Sequence, residues 1–333
     1  MAPNGYYVVG PTIYDSNNQP HLFHGVDRPS LEWDPEGEGE TGEGIPASDF
    51  AAMKTWGANV VRISLNQDFW IQGAALYSSS YAPIVGQAIS QAEAAGLDVI
   101  LDLHWSDQGN LAVTAKGTAE DTAGNSDQQQ MADANSVTFW TQVATAYKGD
   151  GHVMFELYNE PNNVTPPVWL NGGTPMNGSF TAVGMQQLYN AVRMTAGADN
   201  IVLIGGLNWA YDLSEVVNGT SVVQGFNIVY VTHPYSQNGT PDQQPDWGAY
   251  FGNLASISPV MATEFGDNTC DPTYESSIIS YFDANKISWS GFAWWSTTSS
   301  PCTFPTLLSS WPSTASATGQ VVMTALLAEP AQP

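Results

Sequence analysis

Basic residues are what this chain has least of. Its 333 residues carry 7 Lys and Arg against 32 Asp and Glu, a formal net charge of −25. So few cations cannot neutralise a phosphate backbone, which excludes nucleic acid as a partner. An anionic membrane surface or anionic polysaccharide is disfavoured for the same reason, whereas a neutral ligand meets no such penalty. Long apolar runs are missing too. None approaches the ~20 residues that span a bilayer, so no membrane partner is expected. The opening Met1-Ala2-Pro3-Asn4-Gly5 has neither the basic region nor the apolar core of a signal peptide. Cysteine is limited to Cys270 and Cys302, both in loop-like settings. They are expected to form one disulfide in a secreted, extracellular protein, with two unpaired thiols as the alternative. No linker, charge run or short repeat divides the sequence, so a single domain over residues 1–333 and a monomer are expected.

What is present is apolar and aromatic. Hydrophobic residues make up 43% of the chain and Trp alone counts 12, which excludes disorder. Short apolar runs recur at Leu22–Val26, Val60–Leu65, Asp98–Leu103, Val153–Tyr158, Ile201–Ile204, Ile228–Thr232, Val260–Thr263 and Trp289–Trp294. They are continuously apolar rather than alternating, as expected of parallel strands buried on both faces. Helical patterns fall between them. Asp49–Trp56 is expected to be capped by Ser48 and ended by Gly57, and Tyr81–Ala95 to be ended by Gly96. Asn135–Tyr147, Phe180–Thr195, Tyr274–Asn285 and Val321–Leu327 follow. Eight such units predict an α/β fold, a (β/α)8 TIM barrel. The alternative is an open doubly wound sheet, but no glycine-rich phosphate loop follows the first strand.

In such a barrel the chemistry gathers at the C-terminal ends of the strands. Two of those ends finish in a carboxylate: Tyr158-Asn159-Glu160-Pro161 and Thr263-Glu264-Phe265-Gly266. A pair of glutamates on separate strands is what a retaining glycosidase needs, one as proton donor and one as nucleophile. Glu160 is the expected acid/base and Glu264 the expected nucleophile. Arg62, inside the buried run Val60–Leu65, requires an anionic partner, with Glu264 expected and Asp102 as the alternative. Asn159 is placed to bond the sugar 2-OH, or else to cap a turn. His104 and His233 are expected to serve sugar hydroxyls or the carboxylates, and Tyr235 to point its hydroxyl at Glu264. No His-Glu-x-x-His or comparable ligand spacing occurs, so neither a metal nor another cofactor is expected. Trp294 and Trp295 adjoin on the last strand and should face opposite ways, one flooring the subsite of the reacting sugar. Trp105 and Trp209, with Trp33, Trp70, Trp169 and Trp247, fall in or beside loops at the strand ends. Aromatic faces of this kind stack on pyranose rings and argue for a chain substrate. The acidic run Glu32–Gly44 is expected to be a solvated loop, with an adventitious cation site or a lid over a glycone-side subsite as the alternatives.

These motifs, in this order, resemble glycoside hydrolase family 5. The resemblance rests on Val61-Arg62-Ile63-Ser64, Leu101-Asp102-Leu103-His104-Trp105, Leu157-Tyr158-Asn159-Glu160-Pro161, His233-Pro234-Tyr235, Thr263-Glu264-Phe265-Gly266 and Trp294-Trp295. It runs from about His24 to Trp295. It implies a (β/α)8 barrel that cleaves a neutral β-linked polysaccharide or oligosaccharide with retention and without a cofactor. Glu160 and Glu264 then take the catalytic roles, while Arg62, His104, Asn159, His233, Tyr235 and Trp294 or Trp295 support the reacting sugar. Asp27 stands where an Asn is commoner and is expected to mark a less usual specificity. An endo-β-1,4-glucanase is the first expectation and an endo-β-1,4-mannanase the second. Xyloglucan-, xylan- or β-1,3-glucan-active enzymes stay open, as do a non-catalytic glycan-binding barrel and a metal-dependent hydrolase.

Overall fold

The computed structural model describes residues 5–37, 45–107, 109–112, 129–176, 178–236, 246–267, 269, 271–296 and 305–328. Eight parallel strands close into a barrel: β1 (His24–Arg28), β2 (Val60–Asn66), β3 (Asp98–Trp105), β4 (Val153–Glu156), β5 (Val202–Gly205), β6 (Ile228–Thr232), β7 (Val260–Ala262) and β8 (Ser288–Gly291). The ring runs in chain order and shuts where β8 pairs with β1, Trp289 opposite His24. Every residue of these strands is buried, which is why their sequences read as unbroken runs.

Side chains alternate between the inside and the outside of the ring, and the inward set is layered. Val60, Ile100, Met154, Leu203, Val229 and Met261 form an apolar lower core. Two residues further along their strands come Arg62, Asp102, Glu156 and Thr263, so the chain steps from a greasy floor to a charged upper layer at the strand ends. The outward set packs on helices through a larger core that includes Phe50, Phe139, Trp140, Ile278 and Phe282.

The main helices are α1 (Ala47–Thr55), α2 (Tyr81–Ala94), α3 (Ala134–Tyr147), α4 (Met185–Asn190), α5 (Pro272–Asn285) and α6 (Ala317–Ala328). Gly57 and Gly96 end α1 and α2 at φ +98° and +79°, as the sequence predicts. Ser48 does not cap α1. That helix begins at Ala47, two residues earlier than expected, with Pro46 at the extended cap position and no side-chain cap. The segment expected as one helix over Phe180–Thr195 starts only at Met185 and runs on as a π-helical turn over Ala191–Ala196. There the buried Arg193 donates to the carbonyls of Ala198 and Asn200 beyond the helix end.

The sequence reading missed a small antiparallel sheet of Tyr7–Val9, Thr12–Tyr14 and Pro20–His21. Gly10, at φ +58°, opens the two-residue turn between its first strands, where a tight hairpin favours glycine. The sheet lies under the barrel: Ile13, with Tyr6 and Val8 beside it, packs onto the lower core and closes it.

Candidate active site

Arg62 organises the upper layer. Its guanidinium is fully buried and forks onto Glu156, with Nε–Oε2 at 2.8 Å and Nη2–Oε1 at 2.9 Å. Nη1 reaches Glu264 Oε1 at 2.7 Å, and Nη2 also meets Asp102 Oδ2 at 3.0 Å and Asn159 Oδ1 at 2.7 Å. Both partners anticipated for Arg62 are therefore present, and a third, Glu156, holds it most directly. Burial alone would neutralise these acids. For Glu156 burial is overcome by Arg62 together with His233, which bring its pKa down to about 2. For Glu264, burial is overcome by His233 and Arg62, which hold it below the usual carboxylate range.

Glu264 is also fixed from the cleft side. Tyr235 donates its hydroxyl to Glu264 Oε2 at 2.6 Å, and burial together with the Glu264 charge keeps that phenol protonated. His233 stands between the two end carboxylates. Its Nδ1 lies 3.1 Å from Glu160 Oε1, and its Nε2 lies 2.9 Å from Thr263 Oγ1, which passes a hydrogen bond to Glu156 Oε1 at 3.1 Å. Both ring nitrogens thus donate. Burial would strip the proton, but Glu264, Glu156 and Glu160 outweigh it and raise the pKa to about 10. His104 gives Nδ1–H to Asp102 at 2.7 Å and faces the Asn159 amide nitrogen with Nε2 at 3.3 Å. Because Asn159 has turned its oxygen to Arg62, its NH2 group serves His104 and the cleft.

A ligand atom each from Glu160, His233 and Glu264 all fall within 4.8 Å of one another. One oxygen of each carboxylate therefore lies within 4.8 Å of an oxygen of the other, the kind of close approach that direct nucleophilic attack requires. Those three side chains are the one candidate metal cluster among the described residues. They fit a metal poorly, since an imidazolium donating from both nitrogens has no lone pair to give.

The aromatics divide as their strand positions dictate. Trp295 joins Trp33 edge-on at 5.4 Å and Trp311 at 5.6 Å, with Phe292 and Tyr235 alongside. Trp294 is fully buried against Trp56 at 4.6 Å, so of the two neighbours Trp295 is the one on the site side. Trp105 lies edge-on to His104 at 5.3 Å. Trp209 stands 50% exposed beyond β5, and its backbone N–H donates to the carbonyl of Pro161, the residue after Glu160. Of the tryptophans in or beside the strand-end loops, Trp169 and Trp247 are core residues, each packing its ring behind the strands. Asp27 is buried beside the charged layer, where its carboxylate accepts from Ser290 Oγ at 3.0 Å and burial raises its pKa well above the usual carboxylate range against the pull of Arg62. Cys270 and Cys302 lie outside the described residues.

The sequence reading left Thr263 out of the site, named Glu156 at its strand end without giving it a role, and placed Glu32 only at the start of an acidic loop. A strand-end carboxylate two residues after inward-facing Met154 was the available signal for Glu156. Glu32 begins the run expected to be solvated, yet it is 1% exposed.

A (β/α)8 barrel with a close carboxylate pair at its C-terminal mouth defines the retaining glycosidase class of architecture. The family described as cellulase (glycosyl hydrolase family 5) matches residues 17–298, and the chain belongs to that family. It is 25% identical over 309 residues to endoglucanase C of Evansella cellulosilytica, covering 85% of this chain and 34% of that protein. It is 23% identical over 294 residues to a mannan endo-1,4-β-mannosidase of Cellvibrio japonicus, covering 86% of this chain and 56% of that one. The chain thus spans from about a third to just over half of these relatives. The crystal structure of a β-glucanase from Saccharophagus degradans superimposes with a TM-score of 0.72 at 21% identity, over 98% of this chain and 94% of that one.

Proposed function

We propose that this chain is a retaining endo-β-1,4-glucanase acting on a neutral β-glucan. The observation that carries the reading is the approach of Glu160 and Glu264 within 4.8 Å beside an Arg62-held nucleophile. Glu264 attacks the anomeric carbon as Glu160 protonates the departing glycosidic oxygen, giving a covalent glycosyl-enzyme. Glu160, now ionised, takes a proton from water, which attacks the same carbon, releases Glu264 and restores the β-configuration. Arg62 and Tyr235 keep Glu264 ionised and aimed, and the NH2 group of Asn159 is available to the sugar 2-OH. Trp209 on the Glu160 side and Trp295 with Trp33 on the other give rings on both sides of the cleavage point a face to stack on. The endoglucanase relative and a β-glucanase neighbour crystallised with cellotetraose support a glucan. The mannosidase relative favours the second reading, an endo-β-1,4-mannanase.

Reducing-end release from carboxymethyl cellulose and from galactomannan, measured side by side, tests the substrate. Proton NMR of the first product should show the β-anomer, and an initial α-anomer would refute retention. The protein is further proposed to work outside the cytoplasm with Cys270 and Cys302 joined. That reading is supported by the scarcity of cysteine and of basic charge. Thiol titration of denatured, unreduced protein should then find no free thiol.

A further inference from the structure

Glu32 is a buried acid that the mechanism above does not use. Its segment is tightly built. Ser30, held at φ +147° where glycine is favoured, turns its N–H onto Glu32 Oε2 at 2.7 Å. The Glu32 carbonyl receives Asn66 Nδ2 at 2.9 Å, and the preceding Leu31 carbonyl receives the Tyr81 hydroxyl at 2.7 Å. The loop after β1 is thus pinned to the end of β2 and the start of α2. The groups facing the carboxylate are His104 and Asp102 of β3, Arg28 of β1 and Tyr81 of α2. His104 is a site residue, and Arg28 is occupied by Asp49 at 2.9 Å. No side chain among the described residues donates a hydrogen bond to the Glu32 carboxylate. Burial therefore lifts its pKa to about 7, with His104 pulling the other way. The next residue, Trp33, stands edge-on against Trp295, on the side of the cleft away from Glu160 and Trp209.

A carboxylate fixed by backbone, without a cation of its own and next to a Trp of the site, is built to receive hydroxyl groups. We propose that Glu32 is a specificity-determining residue on the glycone side of the cleft, accepting hydrogen bonds from hydroxyls of a sugar ring beyond the one being cleaved. The inference rests on the glycanase reading above. Exposure does not stand against it, since Asn159 on the cleft floor is also 1% exposed. Arg28 and His104 flank the same spot and favour the ionised form, which accepts from two hydroxyls at once.

The test compares 2,4-dinitrophenyl β-cellobioside, which places a second sugar on the glycone side, with the β-glucoside, which does not. Glu32→Gln keeps an oxygen for the Ser30 N–H and removes only the second acceptor, and Glu32→Ala removes both. The kcat/KM ratio of cellobioside to glucoside should fall about tenfold in each variant, the scale of a hydrogen bond to a charged group. In the unmodified protein the ratio should shift between about pH 5.5 and about pH 8, and in Glu32→Gln it should stay flat. A ratio within about twofold of the parent in both variants overturns the proposal. An equal fall on both glycosides also overturns it, because that marks a purely structural residue. A parent protein that cleaves the mannobioside in place of the cellobioside sinks the glucan reading alone. The same ratio is then read on the mannoside pair, so the two failures stay distinct.

Discussion

Arg62 is buried with carboxylates on three sides, and that determines what substitution will do at the residue scale. Arg62→Met would strand Glu156, Asp102 and Glu264 without a cation, at a cost of about 3–5 kcal/mol of stability measurable by urea unfolding. The two end carboxylates should separate by leaving group. Glu264→Gln removes the nucleophile and should abolish turnover of every substrate. Glu160→Gln should lose roughly 10²–10⁴-fold on a glucan yet retain much more on a dinitrophenyl glycoside, whose leaving group needs no proton. Identical losses for the two variants on both substrates would refute the assignment of roles. Glu160, Glu264, Arg62 and Tyr235 were legible because each ends or interrupts an apolar strand, where a polar residue needs a reason. Glu156 and Glu32 were not. One ends its strand three residues before Asn159-Glu160-Pro161, which draws the eye past it, and the other opens an acidic run whose composition reads as solvated. What buries Glu32 is the bend at Ser30, and nothing in the residue types announces that bend.

At the scale of elements, the barrel strands were readable because burial on both faces leaves continuous apolar runs. Their ends shifted by a few residues, as where β8 stops at Gly291 rather than Trp294. The sheet beneath the barrel escaped because its strands are two or three residues long, too short for any period to show. It nevertheless carries weight. Ile13→Ala would open a cavity beneath the lower core and should cost about 2–5 kcal/mol, lowering Tm while KM on an oligosaccharide stays at the parent value. A large change in KM would mean that the floor and the mouth are mechanically coupled. Gly25 is constrained more severely, since a Cβ there would stand 1.9 Å from the Val60 carbonyl oxygen. Gly25→Ala should therefore prevent β1 from docking on β2, read as loss of soluble, cooperatively melting protein.

For the whole molecule, the titrating groups point to an acid-side stability maximum. Burial raises Glu32 and Glu275 to about 7 and Asp133 to about 6 in the folded protein. Each binds its proton more tightly folded than unfolded, so its contribution is complete below its unfolded pKa and is lost as pH climbs through 6 to 7. His233 acts in the same sense over a higher window, from its ordinary 6.5 to about 10. Glu156, brought down to about 2, opposes them: its contribution is present above 4.5 and is lost as pH falls toward 2. The net charge of −25 adds repulsion that fades with acidification. Thermal melting across pH should accordingly peak between about pH 4.5 and 6 and decline toward pH 9, and a maximum above pH 7 would contradict this balance. The pairing of β8 with β1 carries one further consequence. Phe23 N–H bonds Ser288 Oγ across 265 residues of sequence. During synthesis the first strand therefore leaves the ribosome long before its eighth-strand partner exists, and one edge of β1 waits unpaired while most of the chain is made. The last barrel strand to be translated is the one that ends that exposure.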